Sequence, residues 1–239
     1  MVSTPGSEGP EARGTSTLRR ELTIPTPSGT IQGDLVLPFR ARGIVVFAHG
    51  SGSGRGSPRN RRVAKVLEDA GLGTLLLDLL TREEAEIDSV SGRFRFDIPR
   101  LSERLTAAVD ALPAHPETVG LPAGLYGAST GGAAALLTAA ARLEVVRAVV
   151  LRGARSDLAG PGIHGVRAPT LFLVGELDPE VHAINRVSLA EVGGPKQLVV
   201  VRGASHLFEE AGALEEVAHR TRDWFLKYFP PLPRREGRL

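Results

Sequence analysis

A chain of 239 residues with 42% hydrophobic and 23% charged residues has the make-up of one globular domain and excludes a collagen, a coiled coil or a wholly disordered chain. There is no cysteine, so disulfides, thiolate metal sites and a cysteine nucleophile are ruled out. A net charge of +2 is too small for a dedicated nucleic-acid binder, and no run of ~18 apolar residues offers a membrane-spanning helix. Residues 1–17 lack the apolar stretch of a signal peptide and read as a flexible tail. Residues 18–229 read as a single domain and 230–239 as a short C-terminal tail. With no signal peptide and no cysteine, the expected location is the cytoplasm.

From the tail onward, short apolar runs alternate with helical patterns. Residues 22–24 and 35–37 predict an antiparallel hairpin turning at Pro27, Ser28 and Gly29. The run IVVFA at 44–48 is unbroken, as expected of a strand covered on both sheet faces. A helix is predicted over 58–70, with Ser57 as N-cap, Pro58 at its first position and Gly71 past its end. Residues 74–79 predict another buried strand. Residues 99–112 predict a helix with Leu101, Leu105, Ala108, Val109 and Leu112 on one stripe. Strands at 124–126, 145–151, 170–174 and 197–201 then alternate with helices at 130–141, 181–191 and 213–229. Such alternation predicts an α/β fold: a mostly parallel sheet with helices on both faces and an antiparallel N-terminal hairpin. In these sheets ligands bind beyond the carboxyl ends of the strands. Residues just after strands are therefore the candidates for chemistry.

Gly127-Ala128-Ser129-Thr130-Gly131 is a G-x-S-x-G placed between a predicted strand and a predicted helix, the setting that gives this motif its meaning. The sharp turn exposes the Ser129 hydroxyl, and glycines two residues either side avoid crowding it. A serine is a weak nucleophile until a base takes its proton. Among six histidines, His206 alone follows a late strand. His182 and His219 fall in predicted helices, His115 precedes Pro116, and His164 sits in a Gly/Pro loop. His49 is expected to be buried in support of the glycine-rich loop His49-Gly50-Ser51-Gly52-Ser53-Gly54. The base needs an acid to hold its tautomer. Asp178, in Gly175-Glu176-Leu177-Asp178-Pro179 after the strand at 170–174, is the candidate, with Glu176 as the local rival. An oxyanion hole needs two backbone N–H groups. The candidates are Thr130, next to the nucleophile, and Ser51 of the glycine loop, with Gly50 as rival.

The segments HGSGSG, GASTGG, GELD and GASH, each after its strand and in the order Ser129, Asp178, His206, resemble the α/β-hydrolase superfamily over residues 18–229. In detail they resemble its small, capless dienelactone-hydrolase-like branch. The dienelactone hydrolases of that branch use a cysteine nucleophile, where this chain has Ser129. The resemblance implies hydrolysis of an ester-like bond through an acyl-enzyme, without metal or cofactor.

Two features bear on the substrate. Residues 152–168 are too few for a helical cap. The long excursion at 80–98 follows a strand end and is expected to overhang the pocket, with Phe94 and Phe96 either anchoring it or forming one wall. Arg55, Arg59, Arg61 and Arg62 cluster at the start of the helix after the glycine loop. They either serve an anionic ligand, Arg55 foremost, or pair with Glu83, Glu84 and Glu86 of the excursion. Asp78 and Asp88 are taken as structural. The expected function is a serine esterase for small soluble esters, with a small-molecule ester as its partner and neither nucleic acid nor membrane. Thioesterase, peptidase, acyltransferase and a non-catalytic binding module on the same fold are the alternatives, and a homodimer is left open.

Overall fold

The computed structural model describes residues 16–231. The expected tails at 1–17 and 230–239 lie almost wholly outside the described residues. Strands β1 (Leu18–Thr26) and β2 (Gly29–Leu37) form the predicted hairpin. It is longer than the two apolar cores suggested, because polar residues facing solvent continue the pairing from Leu18↔Leu37 to Thr26↔Gly29. Strands β3 (Ile44–Ala48), β4 (Gly73–Leu77), β5 (Ala123–Ala128), β6 (Val146–Arg152), β7 (Thr170–Gly175) and β8 (Lys196–Val201) complete an eight-stranded sheet. Its order is β1-β2-β4-β3-β5-β6-β7-β8. Pairings from β4 to β8 are parallel, whereas β2 meets β4 antiparallel.

Among the described residues six α-helices accompany the sheet: α1 (Pro58–Asp69), α2 (Arg82–Ser91), α3 (Ile98–Ala111), α4 (Thr130–Ala141), α5 (Pro179–Glu191) and α6 (Ala213–Tyr228). Alternate side chains of β3 show how the faces divide, as the strand period of two requires. Ile44, Val46 and Ala48 pack with Leu101, Leu105 and Ala133 on the α3/α4 side. Val45 and Phe47 pack with Val63, Leu67 and Phe225 on the α1/α6 side. Ser57 caps α1 by accepting the Asn60 N–H at 3.4 Å, with Pro58 in the first turn, as the sequence predicts. Residues 156–165 form 3-10 turns broken at Gly160 rather than a cap.

The excursion at 80–98 departs from the expected loop. Its centre is the helix α2, started by a reciprocal cap between Thr81 and Glu84 and stopped at Gly92 in the left-handed region. Thr81-Arg82-Glu83-Glu84 is the T-x-x-E pattern of such a cap, so the signal stood in the sequence. Among the described residues no helix is long and apolar enough to cross a membrane.

Candidate active site

The carboxyl ends of β3, β5, β6, β7 and β8 bring the candidate residues together. Ser129 sits between β5 and α4 with φ 49° and ψ −120°. That backbone is unfavourable for a residue with a Cβ. It is fixed on both sides: the Ser129 N–H donates to the Arg152 carbonyl at 3.1 Å, and the Ser129 carbonyl accepts from Gly132 and Arg155, both at 3.0 Å. The flanking glycines are required by close approach. A Cβ on Gly131 would lie 2.3 Å from the Ala48 carbonyl oxygen, and one on Gly127 would lie 2.6 Å from Gly132 Cα.

His206 follows β8, and its Nδ1 lies 2.6 Å from Asp178 Oδ2. Asp178 occupies the N-cap position of α5 but makes no capping bond there; its carboxylate is committed to the histidine. The rival, Glu176, turns the other way and accepts the Gly203 N–H at 2.7 Å, tying the β7 turn to the β8 turn. Ser129 and His206 line one cavity of about 190 Å³ together with Ser51, Gly50 and Leu207. Gly50 packs close to Ser129: a Cβ there would lie 3.0 Å from Ser129 Cβ. Thr130 is the first residue of α4 and is buried. First-turn N–H groups have no acceptor within their helix. Thr130 and Ser51 both line the adjoining cavity of about 390 Å³.

His49 is buried, as expected. Its Nε2 accepts the Leu79 N–H at 3.0 Å, which leaves Nδ1–H to donate to the Gly50 carbonyl at 2.8 Å. Burial pushes its pKa down, against the opposing pull of Gly50 and Asp78. It is a neutral strut between β3 and β4 and does not line the cavity with Ser129 and His206.

Three expectations are corrected. Phe94 and Phe96 do not line the cavities around Ser129. The Phe94 ring is met by the guanidiniums of Arg93 and Arg100, at 5.4 and 5.0 Å, and Phe96 is 57% exposed. The excursion instead contributes Leu80, Ala85, Asp88, Ser89 and Arg95 to the 390 Å³ cavity, with Ala85, Asp88 and Ser89 presented by α2. Second, the arginines of α1 do not pair with Glu83, Glu84 or Glu86. Arg55 meets Glu21, Asp34 and Asp78 at 2.9–3.0 Å, Arg59 meets Glu209, Arg61 meets Asp34 and Arg62 meets Glu215. Third, Arg55 is surrounded by carboxylates and lines only the outer groove of about 870 Å³, so it is poorly placed for an anion at Ser129. Asp78 and Asp88 are structural as expected: Asp78 also accepts the Arg55 N–H, and Asp88 accepts the N–H groups of Phe94 and Arg95 and the Arg95 guanidinium. Ser57, Arg59, Asn60 and Arg152 also line the cavity at Ser129; the sequence alone did not single out this convergence.

Residues 31–229 match the model of the dienelactone hydrolase family. The chain is 50% identical over 198 residues to two Mycobacterium tuberculosis proteins (strains CDC 1551 / Oshkosh and H37Rv), each named "Putative phosphoribosyl transferase". The match covers 83% of this chain but only 44% of those relatives. Among solved structures, a dienelactone hydrolase from Anabaena variabilis superposes with a TM-score of 0.88 at 50% identity, covering 90% of this chain and 99% of that one. Est1E from Butyrivibrio proteoclasticus, at 15% identity and a TM-score of 0.71 over 87% of this chain and 98% of its own, shares the fold. By sequence and by fold, the chain belongs to the dienelactone hydrolase family and is an α/β-hydrolase.

Proposed function

We propose that this hydrolase is a serine esterase that cleaves small soluble carboxylic esters through an acyl-enzyme. The observation that carries the reading is the 2.6 Å contact of Asp178 with His206, beside a serine held at positive φ on the same cavity. Ser129 attacks the ester carbonyl while His206 takes its proton at Nε2. Asp178 accepts the Nδ1–H, which fixes the tautomer and stabilises the imidazolium. The N–H groups of Thr130 and Ser51 receive the developing oxyanion. His206 then returns the proton to the departing alcohol, and a water activated by the same base releases the acid. The relatives' transferase name belongs to proteins more than twice as long as the matched stretch. An acyl transfer by this machinery would differ only in the nucleophile that replaces water.

Substrate size follows from the walls. The outer groove carries Arg55, Asp78, Arg82, Glu83 and Glu86, and the middle cavity carries Asp88 and Arg95. Covering such groups with a long acyl chain would cost desolvation, against about 0.8 kcal/mol gained per buried CH₂. Hydrolysis of p-nitrophenyl esters from two to sixteen carbons is therefore expected to peak at acetyl to butyryl. No jump in rate is expected when an emulsion forms. A maximum above ~ten carbons, or activation at the interface, would refute the substrate class.

A further inference from the structure

Among the described residues three positions other than glycine have a positive φ: Arg40, Ser129 and Phe208. Arg40 lies exposed in the turn between β2 and β3, and Ser129 is the candidate nucleophile. Phe208, at φ 56°, comes two residues after His206. Left-handed backbone is costly for a bulky side chain, and it persists where the surroundings enforce it. The same loop uses Gly203 and Gly212 at its other left-handed positions, where glycine adopts that conformation without steric cost.

The Phe208 ring shows what enforces the turn. It is 1% exposed and joins the core on the α1/α6 side with Val201, Ala204, Ala213 and Leu214. The Phe208 N–H donates to the Ser205 carbonyl at 3.2 Å, closing the turn that contains His206. Leu207, between the two rings, is instead 40% exposed and lines the cavity of Ser129. The upstream end of this turn is fixed by backbone. The Leu177 N–H donates to the Ala204 carbonyl at 2.9 Å, and a Cβ on Gly175 would lie 2.6 Å from the Ser205 carbonyl oxygen. The downstream end has the buried Phe208 ring and the largely exposed Arg59–Glu209 pair, and exposed pairs contribute little. The imidazole itself packs on bare backbone: a Cβ on Gly153 would lie 3.4 Å from His206 Cε1 and Nδ1. Its placement therefore depends on how the turn is held.

We propose that Phe208 is a positioning residue for His206. Burial of its ring pulls the chain through the left-handed turn, and that turn holds the imidazole on Asp178 and in the cavity of Ser129. Without the ring the downstream end relaxes, and the imidazole no longer keeps its 2.6 Å contact with Asp178. The consequence for turnover rests on the serine-hydrolase reading; the positioning of His206 does not.

The test uses the full chain with Phe208→Ala, which removes the ring, and Phe208→Leu, which keeps a smaller buried apolar side chain. Folding is checked by circular dichroism and thermal unfolding. The first readout is the low-field proton resonance of the His206 Nδ1–H bonded to Asp178, identified by its loss in Asp178→Asn. It is expected in the native protein and absent in folded Phe208→Ala. The second is steady-state hydrolysis of p-nitrophenyl butyrate per titrated active site. In Phe208→Ala kcat is expected to fall by about 10²-fold, as for a misplaced catalytic group, with KM within about threefold. Phe208→Leu is expected to lie between native and Phe208→Ala in both readouts. A merely structural role would lower the unfolding temperature and leave the resonance and kcat at native values, which would overturn the proposal. A fall in kcat with the resonance unchanged, or a change confined to KM, would overturn it too. If Phe208→Ala does not fold, Phe208→Leu decides: a loss in kcat of about threefold or more with a weakened resonance upholds the proposal, and native values of both refute it. Loss of the resonance in Phe208→Ala of a protein that cleaves no ester would uphold the positioning and refute the esterase.

Discussion

Asp178 and Glu176 are two residues apart, and the fold gives them opposite duties. Asp178 reaches His206, while Glu176 holds the Gly203 N–H of the neighbouring turn. Asp178→Asn keeps the shape but presents an amide where the Nδ1–H needs an acceptor, favouring the wrong tautomer. A loss in kcat of about 10⁴-fold is expected. Glu176→Gln keeps an oxygen for Gly203 and is expected to stay within about tenfold. Steady-state kinetics on a p-nitrophenyl ester would reverse the assignment if Glu176→Gln proved the more damaging.

At the scale of elements, α2 is the piece whose position decides the groove, and Glu84 pins it. The carboxylate accepts the Thr81 N–H at 2.9 Å and meets Arg100 and Arg104 on α3. Partial burial pushes its pKa up, but Arg104, the Thr81 N–H and Arg100 outweigh that and hold it down, at about 2. A folded-state value below the unfolded one means that the stabilisation is complete above the ordinary carboxylate range. It is lost as pH falls from about 4.5 towards about 2. Glu84→Gln is therefore expected to be less stable than the native protein at neutral pH, by on the order of 2 kcal/mol, with the gap narrowing across that window. Denaturant unfolding at several pH values measures it. A gap independent of pH would show that the charge of Glu84 is not what holds α2 to α3.

For the whole molecule, most of the architecture was legible because the relevant signals are local. The buried strands β3 and β7 announce themselves as unbroken apolar runs, and α4 begins and ends where its small-residue pattern does. The placement of Ser129, Asp178 and His206 followed from reading which residues come just after strands. The capping signal at Thr81 and Glu84 was equally local, but the charged composition of 80–98 suggested a loop. Without α2, Phe94 and Phe96 read either as anchors of the excursion or as one wall of the pocket. Arg152 lies beyond local signals altogether. It ends a strand like any other residue, and its neighbours Asn60, Tyr126 and Phe208 are brought to it from distant parts of the chain by the sheet and α1. The central claim is that Ser129 is the nucleophile, and reaction with a fluorophosphonate followed by intact-mass and peptide mapping tests it most directly. One adduct on Ser129 is expected, with none on Ser129→Ala, whose ester turnover should fall by about 10³-fold or more. An adduct elsewhere, no adduct at all, or near-native turnover by Ser129→Ala would contradict it.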